Sequence, residues 1–356
     1  MNNYHTFKEI NDQINSWEKI FNIILRSNSE QKKYISFNNY DAIIFFGCGS
    51  SYNVSMSASF FTNSLLASNY SYAVPSSELI FNKNVYLNKN KKYLLVGFSR
   101  SGETTETINV VEKFKNNNID TFIFTCSQEN TLSKISNNHF YCIDAEEKSV
   151  VMTKSFSSML LAYCLILTKF LNDRNLLNEF ELLIDYMKNK FPELIKTLES
   201  YVNKNAFDKF FALGTGFNYG LANEADLKIK EMAQMTSSAY YILEFNHGPI
   251  SLIDNKSLIL ILTFDNNLSN NVHFLLKNVS NIGSNIILIG KNNIKNNNIG
   301  NNIIQILNDD NFKNNMIKSF SNVPVFQLIA YFKTLNNGLN PDKPRNLKYT
   351  TKIDNI

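Results

Sequence analysis

At 356 residues with 44% hydrophobic content, the chain is long enough for two domains, each with its own core. The formal net charge of +4 comes from lysines scattered among asparagines, with no arginine-rich patch, which argues against nucleic-acid binding. The four cysteines, Cys48, Cys126, Cys142 and Cys164, show no CxxC pairing; they read as buried free thiols of a reducing compartment, neither a disulfide frame nor a zinc site.

Residues 6–26 predict an amphipathic helix, because Phe7, Ile10, Ile14, Trp17, Phe21 and Ile24 recur at three- and four-residue steps. No secretory leader is visible there, and a cytoplasmic location is expected. Asp41–Phe46 predicts a buried strand, followed by the glycine turn Gly47-Cys48-Gly49-Ser50-Ser51 and a helix from about Asn53 to Ala67. The turn lacks the third glycine and the downstream acid of a dinucleotide site, which disfavours NAD.

Ser71–Val74 predicts a short strand, and Tyr93–Gly97 a buried one. The latter runs into Phe98-Ser99-Arg100-Ser101-Gly102-Glu103-Thr104-Thr105-Glu106-Thr107, ahead of Ile108, Val111 and Phe114 at helical spacing. Hydroxyls thus crowd a helix N-terminus, where free N–H groups and the helix dipole favour phosphate. There is no Lys-Ser or Lys-Thr pair, so this is not a Walker A loop. Thr121–Cys126 and Phe140–Ile143 predict further strands, and Met159–Leu167 an apolar helix too short to span a bilayer.

Residues 173–205 predict a helical bridge broken at Phe191-Pro192. The pattern then restarts. Phe210–Leu213, the turn Gly214-Thr215-Gly216 and a helix from Tyr219 to about Met235 repeat the first unit. Ser257–Leu262, Asn285–Ile289 and Ile303–Ile306 predict strands, residues 291–302 an asparagine-rich surface loop, and Pro324–Leu335 a last helix. The expected architecture is α/β, with two tandem doubly wound parallel sheets of flavodoxin-like type related by duplication. Its segments are an N-terminal helical part (1–34), a first domain (35–172), the bridge (173–205), a second domain (206–337) and a tail (338–356).

Glu224, Lys228 and Glu231 stand at i, i+4 and i+7 and share a helix face. Such a set is ordinarily a solvated ion-pair ladder. Here it follows a glycine turn, and its apolar neighbours leave the charged face narrow. His247, ahead of Gly248-Pro249, lies in a fixed turn. A carboxylate and an imidazole form a proton-transfer set: Glu231 between carbons, His247 in opening a sugar ring.

Four segments carry a family resemblance: Gly47–Tyr52, Ser99–Thr104, Leu213–Gly216 through Glu224–Glu231, and His247–Pro249. Glu147–Phe156 and Asn340–Pro344 add to it. The chain resembles tandem sugar isomerase (SIS) domains, as in the isomerase half of glucosamine-6-phosphate synthase and in stand-alone phosphosugar isomerases or glucosamine-6-phosphate deaminases. The resemblance implies that Ser51, Ser99, Arg100, Ser101 and Thr104 hold the phosphate, and that Gly49, Ser50, Val151 and Thr153 meet the sugar. Glu231 would shuttle the proton between C1 and C2, supported by Lys228 and Glu224. His247 would come from the neighbouring subunit of a homodimer.

The tail would cover the active site. The synthase has a tail lysine two residues after an Asn-Leu pair, proposed to form a Schiff base; here Asn346-Leu347 is followed by Lys348 and then Tyr349. No cofactor, metal, nucleic acid or membrane partner is expected. No glutaminase nucleophile is visible, as Met1 is followed by Asn2. The expected reaction turns a hexosamine 6-phosphate into a ketose 6-phosphate and ammonia. An aldose–ketose isomerase, a deglycase for sugar–amine adducts and a non-catalytic phosphosugar sensor are the alternatives.

Overall fold

In the computed structural model, residues 3–26, 36–66, 70–115, 119–264, 269–290, 303–307 and 312–353 are described. The asparagine-rich run 291–302 and residues 27–34 of the N-terminal segment lie outside them. The chain divides into two compact units, Met1–Glu181 with Asn346–Ile356, and Leu182–Arg345.

In the first unit, helices α1 (His5–Arg26), α2 (Ser50–Leu65), α3 (Ser76–Phe81), α4 (Lys83–Tyr86), α5 (Thr105–Lys115), α6 (Thr131–Ile135) and α7 (Lys154–Phe170) surround one sheet. Its strands are β1 (Ala42–Gly47), β2 (Tyr70–Pro75), β3 (Tyr93–Phe98), β4 (Asp120–Thr125) and β5 (Asn138–Tyr141), in the order β2-β1-β3-β4-β5. All pairs are parallel. Every residue of β1 and β3 is buried, which explains their unbroken apolar runs: a central parallel strand is covered on both faces. Helix α7 is buried from Lys154 to Thr168 because α1 and α2 both pack on it. The fully buried Trp17 of α1 donates its indole N–H to Ser157 Oγ at 2.8 Å. The amphipathic face of α1 therefore belongs to this domain's core.

Helix α8 (Arg174–Lys204) leads into the second unit. The expected break at Phe191-Pro192 is absent: Pro192 lies inside a continuous helix of 31 residues. Its apolar stripe of Phe180, Leu183, Ile184, Met187, Phe191, Leu194 and Leu198 is buried throughout, and this packing outweighs the hydrogen bond that proline removes.

The second unit holds β6 (Lys209–Gly214), β7 (Ser237–Tyr241), β8 (Ser257–Leu262), β9 (Asn285–Ile289) and β10 (Ile303–Ile306), in the order β10-β9-β8-β6-β7, again parallel. Its helices are α9 (Phe217–Lys228), α10 (Ser269–Asn281), α11 (Asn315–Lys318) and α12 (Asn322–Asn336). Strand β7 has no counterpart among the sequence expectations. Among the described residues it is an edge strand paired only with β6, and the serines in Ser-Ser-Ala-Tyr-Tyr dilute its apolar pattern.

The duplication extends to backbone angles. Gly49 (φ 55°, ψ −125°) and Gly216 (φ 59°, ψ −124°) precede α2 and α9 in the same left-handed conformation, which favours glycine. In both sheets the chain turns in opposite directions after the first two central strands, β1 and β3 in one, β6 and β8 in the other. Such switch points open a crevice at the strands' carboxyl ends. In the first unit that crevice is bordered by Gly47–Ser51 and Ser99–Thr104.

Candidate active site

The phosphate loop joins β3 to α5. Its backbone is fixed by neighbouring strands: Ser99 N–H donates to Phe124 O at 3.0 Å, and Arg100 O accepts from Cys126 N–H at 2.9 Å. Gly102 has φ +69°, and a Cβ there would lie 2.1 Å from Asn130 Oδ1, so both conformation and space require glycine. Ser99 Oγ accepts from Gly102 N–H at 3.2 Å and lies 3.5 Å from Thr104 Oγ1. The Glu103 carboxylate turns to the start of α6, accepting from Thr131 N–H at 2.7 Å and Thr131 Oγ1 at 2.9 Å. This leaves the hydroxyls of Ser99, Ser101 and Thr104 at the α5 N-terminus without a carboxylate from Glu103 among them. Ser50 and Ser51 are buried in the first turn of α2.

Arg100, expected on the phosphate, directs its Nη groups to acceptors within the protein. Its guanidinium is buried and pairs with Glu147 Oε2 at 3.3 Å, both side chains being nearly inaccessible. Glu147 gathers five donors: Arg100 Nη1, Thr153 N–H and Oγ1 (both 2.7 Å), and Ser155 N–H and Oγ (3.2 and 2.5 Å). The Thr153 hydroxyl, expected on the sugar, thus donates to Glu147, and Val151 is buried. From α1, Glu9 accepts from Lys148 N–H at 2.5 Å, Ser149 N–H at 3.2 Å and the Ser149 hydroxyl. Burial pushes the Glu9 carboxyl up, the Glu147 charge adds to this, and the Ser149 and backbone donors offset part. Two carboxylates from distant parts of the chain therefore set the 147–155 loop. Sequence reasoning assigned neither a role; the signal for Glu147 was the hydroxyl-rich stretch after it, Ser149, Thr153, Ser155, Ser157 and Ser158, and Glu9 carried none.

In the second unit the expected ladder is not solvated. Lys228 Nζ lies 3.2 Å from Glu224 Oε1 and 2.5 Å from Glu231 Oε2; Lys228 and Glu224 side chains are 0% exposed and Glu231 16%. Burial alone would lower the Lys228 pKa, but the Glu224 and Glu231 carboxylates outweigh it and hold the pKa above its ordinary value. The ammonium is therefore permanent at neutral pH. Glu231 lies in a turn of π-helix, Ile229–Ala233, that ends at Gln234 in the left-handed region (φ 51°). Turns of this kind break the helical register and recur at functional sites. The sequence reading ran this helix on to Met235.

His247 sits between two short 3-10 turns, Glu244–Asn246 and Pro249–Leu252, with Gly248 at φ +120°. Buried Phe245 anchors the turn against the Phe211 and Tyr240 rings, while His247 is exposed.

The SIS domain family matches residues 36–169 and 207–325, one segment for each sheet. The chain belongs to the SIS domain family. It is 25% identical to glutamine–fructose-6-phosphate aminotransferase [isomerizing] of Fusobacterium nucleatum over 98% of this chain and 58% of that protein. The same enzyme of Sulfolobus acidocaldarius is 28% identical over 98% of this chain and 55% of that protein. The chain thus spans little more than half the length of these curated relatives. Among solved structures, glucosamine-6-phosphate deaminase from Thermotoga maritima matches with a TM-score of 0.78 and 27% identity, covering 97% of this chain and 99% of that one. The C-terminal domain of the Francisella tularensis aminotransferase shares the fold, with a TM-score of 0.82, 22% identity and coverage of 96% and 98%.

In the tail of this SIS protein, Lys348 and Tyr349 have different surroundings. Lys348 is exposed. Tyr349 packs on the first SIS repeat, its ring over the Arg100 guanidinium at 3.9 Å. Its phenol is partly covered although the residue is 37% exposed overall, and this desolvation pushes it up to about 12 against the Arg100 charge, so the group is neutral at physiological pH. Among the described residues, no helix is long and apolar enough to cross a membrane.

Proposed function

We propose that this protein is a sugar-phosphate isomerase acting as a deaminase, on an amino-sugar 6-phosphate of the glucosamine 6-phosphate type. The observation that carries the reading is the Glu224–Lys228–Glu231 group. A buried ammonium holds two carboxylates, and only Glu231 is open to a ligand.

Ser51, Ser99, Ser101 and Thr104 take the phosphate at helix N-termini. His247 moves a proton from the C1 hydroxyl to the ring oxygen, opening the sugar. Glu231 then removes the proton at C2 of the open aldose. The substrate's ammonium gives a proton to O1 as the C2 proton leaves, so the resulting enolamine bears a hydroxyl on C1 and a neutral amine on C2. Glu231 returns its proton to C1, giving the ketose imine. Water adds at C2 and ammonia leaves, so one water is consumed for each ammonia released. Lys228 and Glu224 orient Glu231, and the exposed His247 suits delivery to the neighbouring subunit of a cytoplasmic homodimer. Support comes from the SIS family and from relatives whose names concern fructose 6-phosphate and glucosamine 6-phosphate.

The test is incubation of the purified protein with glucosamine 6-phosphate, without glutamine. Ammonia and fructose 6-phosphate should form in equal amounts. Glu231→Gln should fold normally and turn over about 10²–10⁴-fold more slowly. Full turnover by a folded Glu231→Gln would overturn the mechanism. Isomerisation of an aldose 6-phosphate with no ammonia from any hexosamine phosphate would retain only the isomerase step. Binding without turnover of any candidate would favour a sensor.

A further inference from the structure

Arg100 lies between Ser99 and Ser101, yet its side chain serves other segments. Nη1 donates to Glu147 Oε2 at 3.3 Å and to Ser149 O at 3.2 Å. Nη2 donates to Val150 O and Tyr349 O, both at 2.9 Å. These are four acceptors for the four hydrogens that the two Nη atoms carry. Both Nη groups are thus taken up by acceptors within the protein, Nε–H being the fifth donor of the guanidinium. The Tyr349 ring covers the guanidinium face, 3.9 Å from Cζ to the ring centre.

A second bond places the tail further along the same loop. Ile353 N–H donates to Thr105 Oγ1 at 3.1 Å, at the first residue of α5. The chain from 349 to 353 thus runs across the phosphate loop, fixed at one end by Arg100 and at the other by the helix start. Lysine does not reproduce this arrangement, because its donors radiate from one point and it has no planar face to stack.

We propose that Arg100 is a positioning residue, a clasp that ties the C-terminal tail and the 147–151 loop to the phosphate loop so that phosphosugar binding and tail closure are linked. The inference rests on the reading that Ser99–Thr104 binds the phosphate of a sugar phosphate. Because Ser99 and Ser101 flank Arg100 along the backbone, a displacement of the loop moves the clasp. By reciprocity, a ligand that settles the loop protects the tail, and a released tail weakens the ligand.

The experiment uses the full chain and trypsin, with mass spectrometry of the cut after Lys348, which is exposed and directly precedes the clasp. In the wild type, glucosamine 6-phosphate should slow this cut. In Arg100→Lys the cut should be about tenfold faster, with no protection by the sugar phosphate. The KM for glucosamine 6-phosphate should rise about tenfold with a smaller change in kcat, and inorganic phosphate, which settles the same loop, should weaken in parallel. Tyr349→Ala, which keeps the guanidinium, should weaken inorganic phosphate as well; phosphate weakened by Arg100→Lys but untouched by Tyr349→Ala would assign the guanidinium to the phosphate and overturns the proposal. So does an unchanged cutting rate.

If Arg100→Lys does not fold, the Tyr349 pair decides. Tyr349→Ala should cut faster and Tyr349→Phe, which keeps the stack, should match the wild type; equal rates for the two overturn the clasp. The proteolysis and inorganic-phosphate arms need no turnover. A wild type inert toward every hexosamine phosphate would therefore end the deaminase reading and leave the clasp standing on its own result.

Discussion

Lys228 shows how burial changes the meaning of a charge pattern. On a solvated helix face, the spacing of Glu224, Lys228 and Glu231 contributes a few tenths of a kcal/mol per pair. With Lys228 and Glu224 at 0% exposure, the same three residues are an interdependent buried group. Removing the cation leaves a buried carboxylate uncompensated. Lys228→Met should therefore cost about 3–5 kcal/mol of unfolding free energy, measured by urea denaturation at pH 7. The sign with pH follows from the raised pKa. Lys228 binds its proton more tightly folded than unfolded, so its contribution is complete below the ordinary value of 10.5. It is lost as pH rises through the folded value. The stability gap between wild type and Lys228→Met should accordingly hold from neutral pH to about 10 and narrow above it. The spacing was legible in the sequence. The exposures of 0% and 16% that separate Lys228 from Glu231 depend on what packs around α9 and are not.

At the scale of elements, local signals were reliable where the backbone itself is constrained. The glycine turns and the hydroxyl loop stand where they were expected, because φ near +60° and close approach leave few residue types acceptable. Gly102→Ala should test this. Its methyl would meet Asn130, and φ is +69°, so the loop must shift. A loss of about 1–3 kcal/mol in stability is expected, with weaker inorganic phosphate binding by calorimetry. Signals that depend on competition between local and tertiary forces were misread. Pro192 marked a break that packing of the α8 stripe overrides. Pro192→Ala should restore a helical hydrogen bond and raise stability by up to about 3 kcal/mol, read by thermal unfolding. The π turn at Ile229–Ala233 follows no composition rule that we can identify. Strand β7 was lost because an edge strand needs only one apolar flank.

For the molecule as a whole, the repeats keep one topology but divide the chemistry. The first carries the hydroxyl-rich loop, and the second carries the Glu224–Lys228–Glu231 group. The proposed homodimer makes a distinct prediction. His247→Ala and Glu231→Gln should each be nearly inactive alone, yet mixed and refolded together they should regain activity. In a mixed dimer, one site holds both intact groups if His247 acts across the interface. Mixed dimers without activity would place His247 in its own subunit's site. The sequence by itself determined the α/β class, the duplication, the central strands and the residue types of both candidate groups. These are written in hydrophobic period and glycine placement, which act over a few residues. Only the tertiary structure decided that Arg100 meets Tyr349, 249 positions away, and that Glu9 and Glu147 hold one loop. It alone decided that Lys228 is sealed from water. Those outcomes depend on which elements come together and what they cover, and no short stretch of sequence encodes a partner so far along the chain.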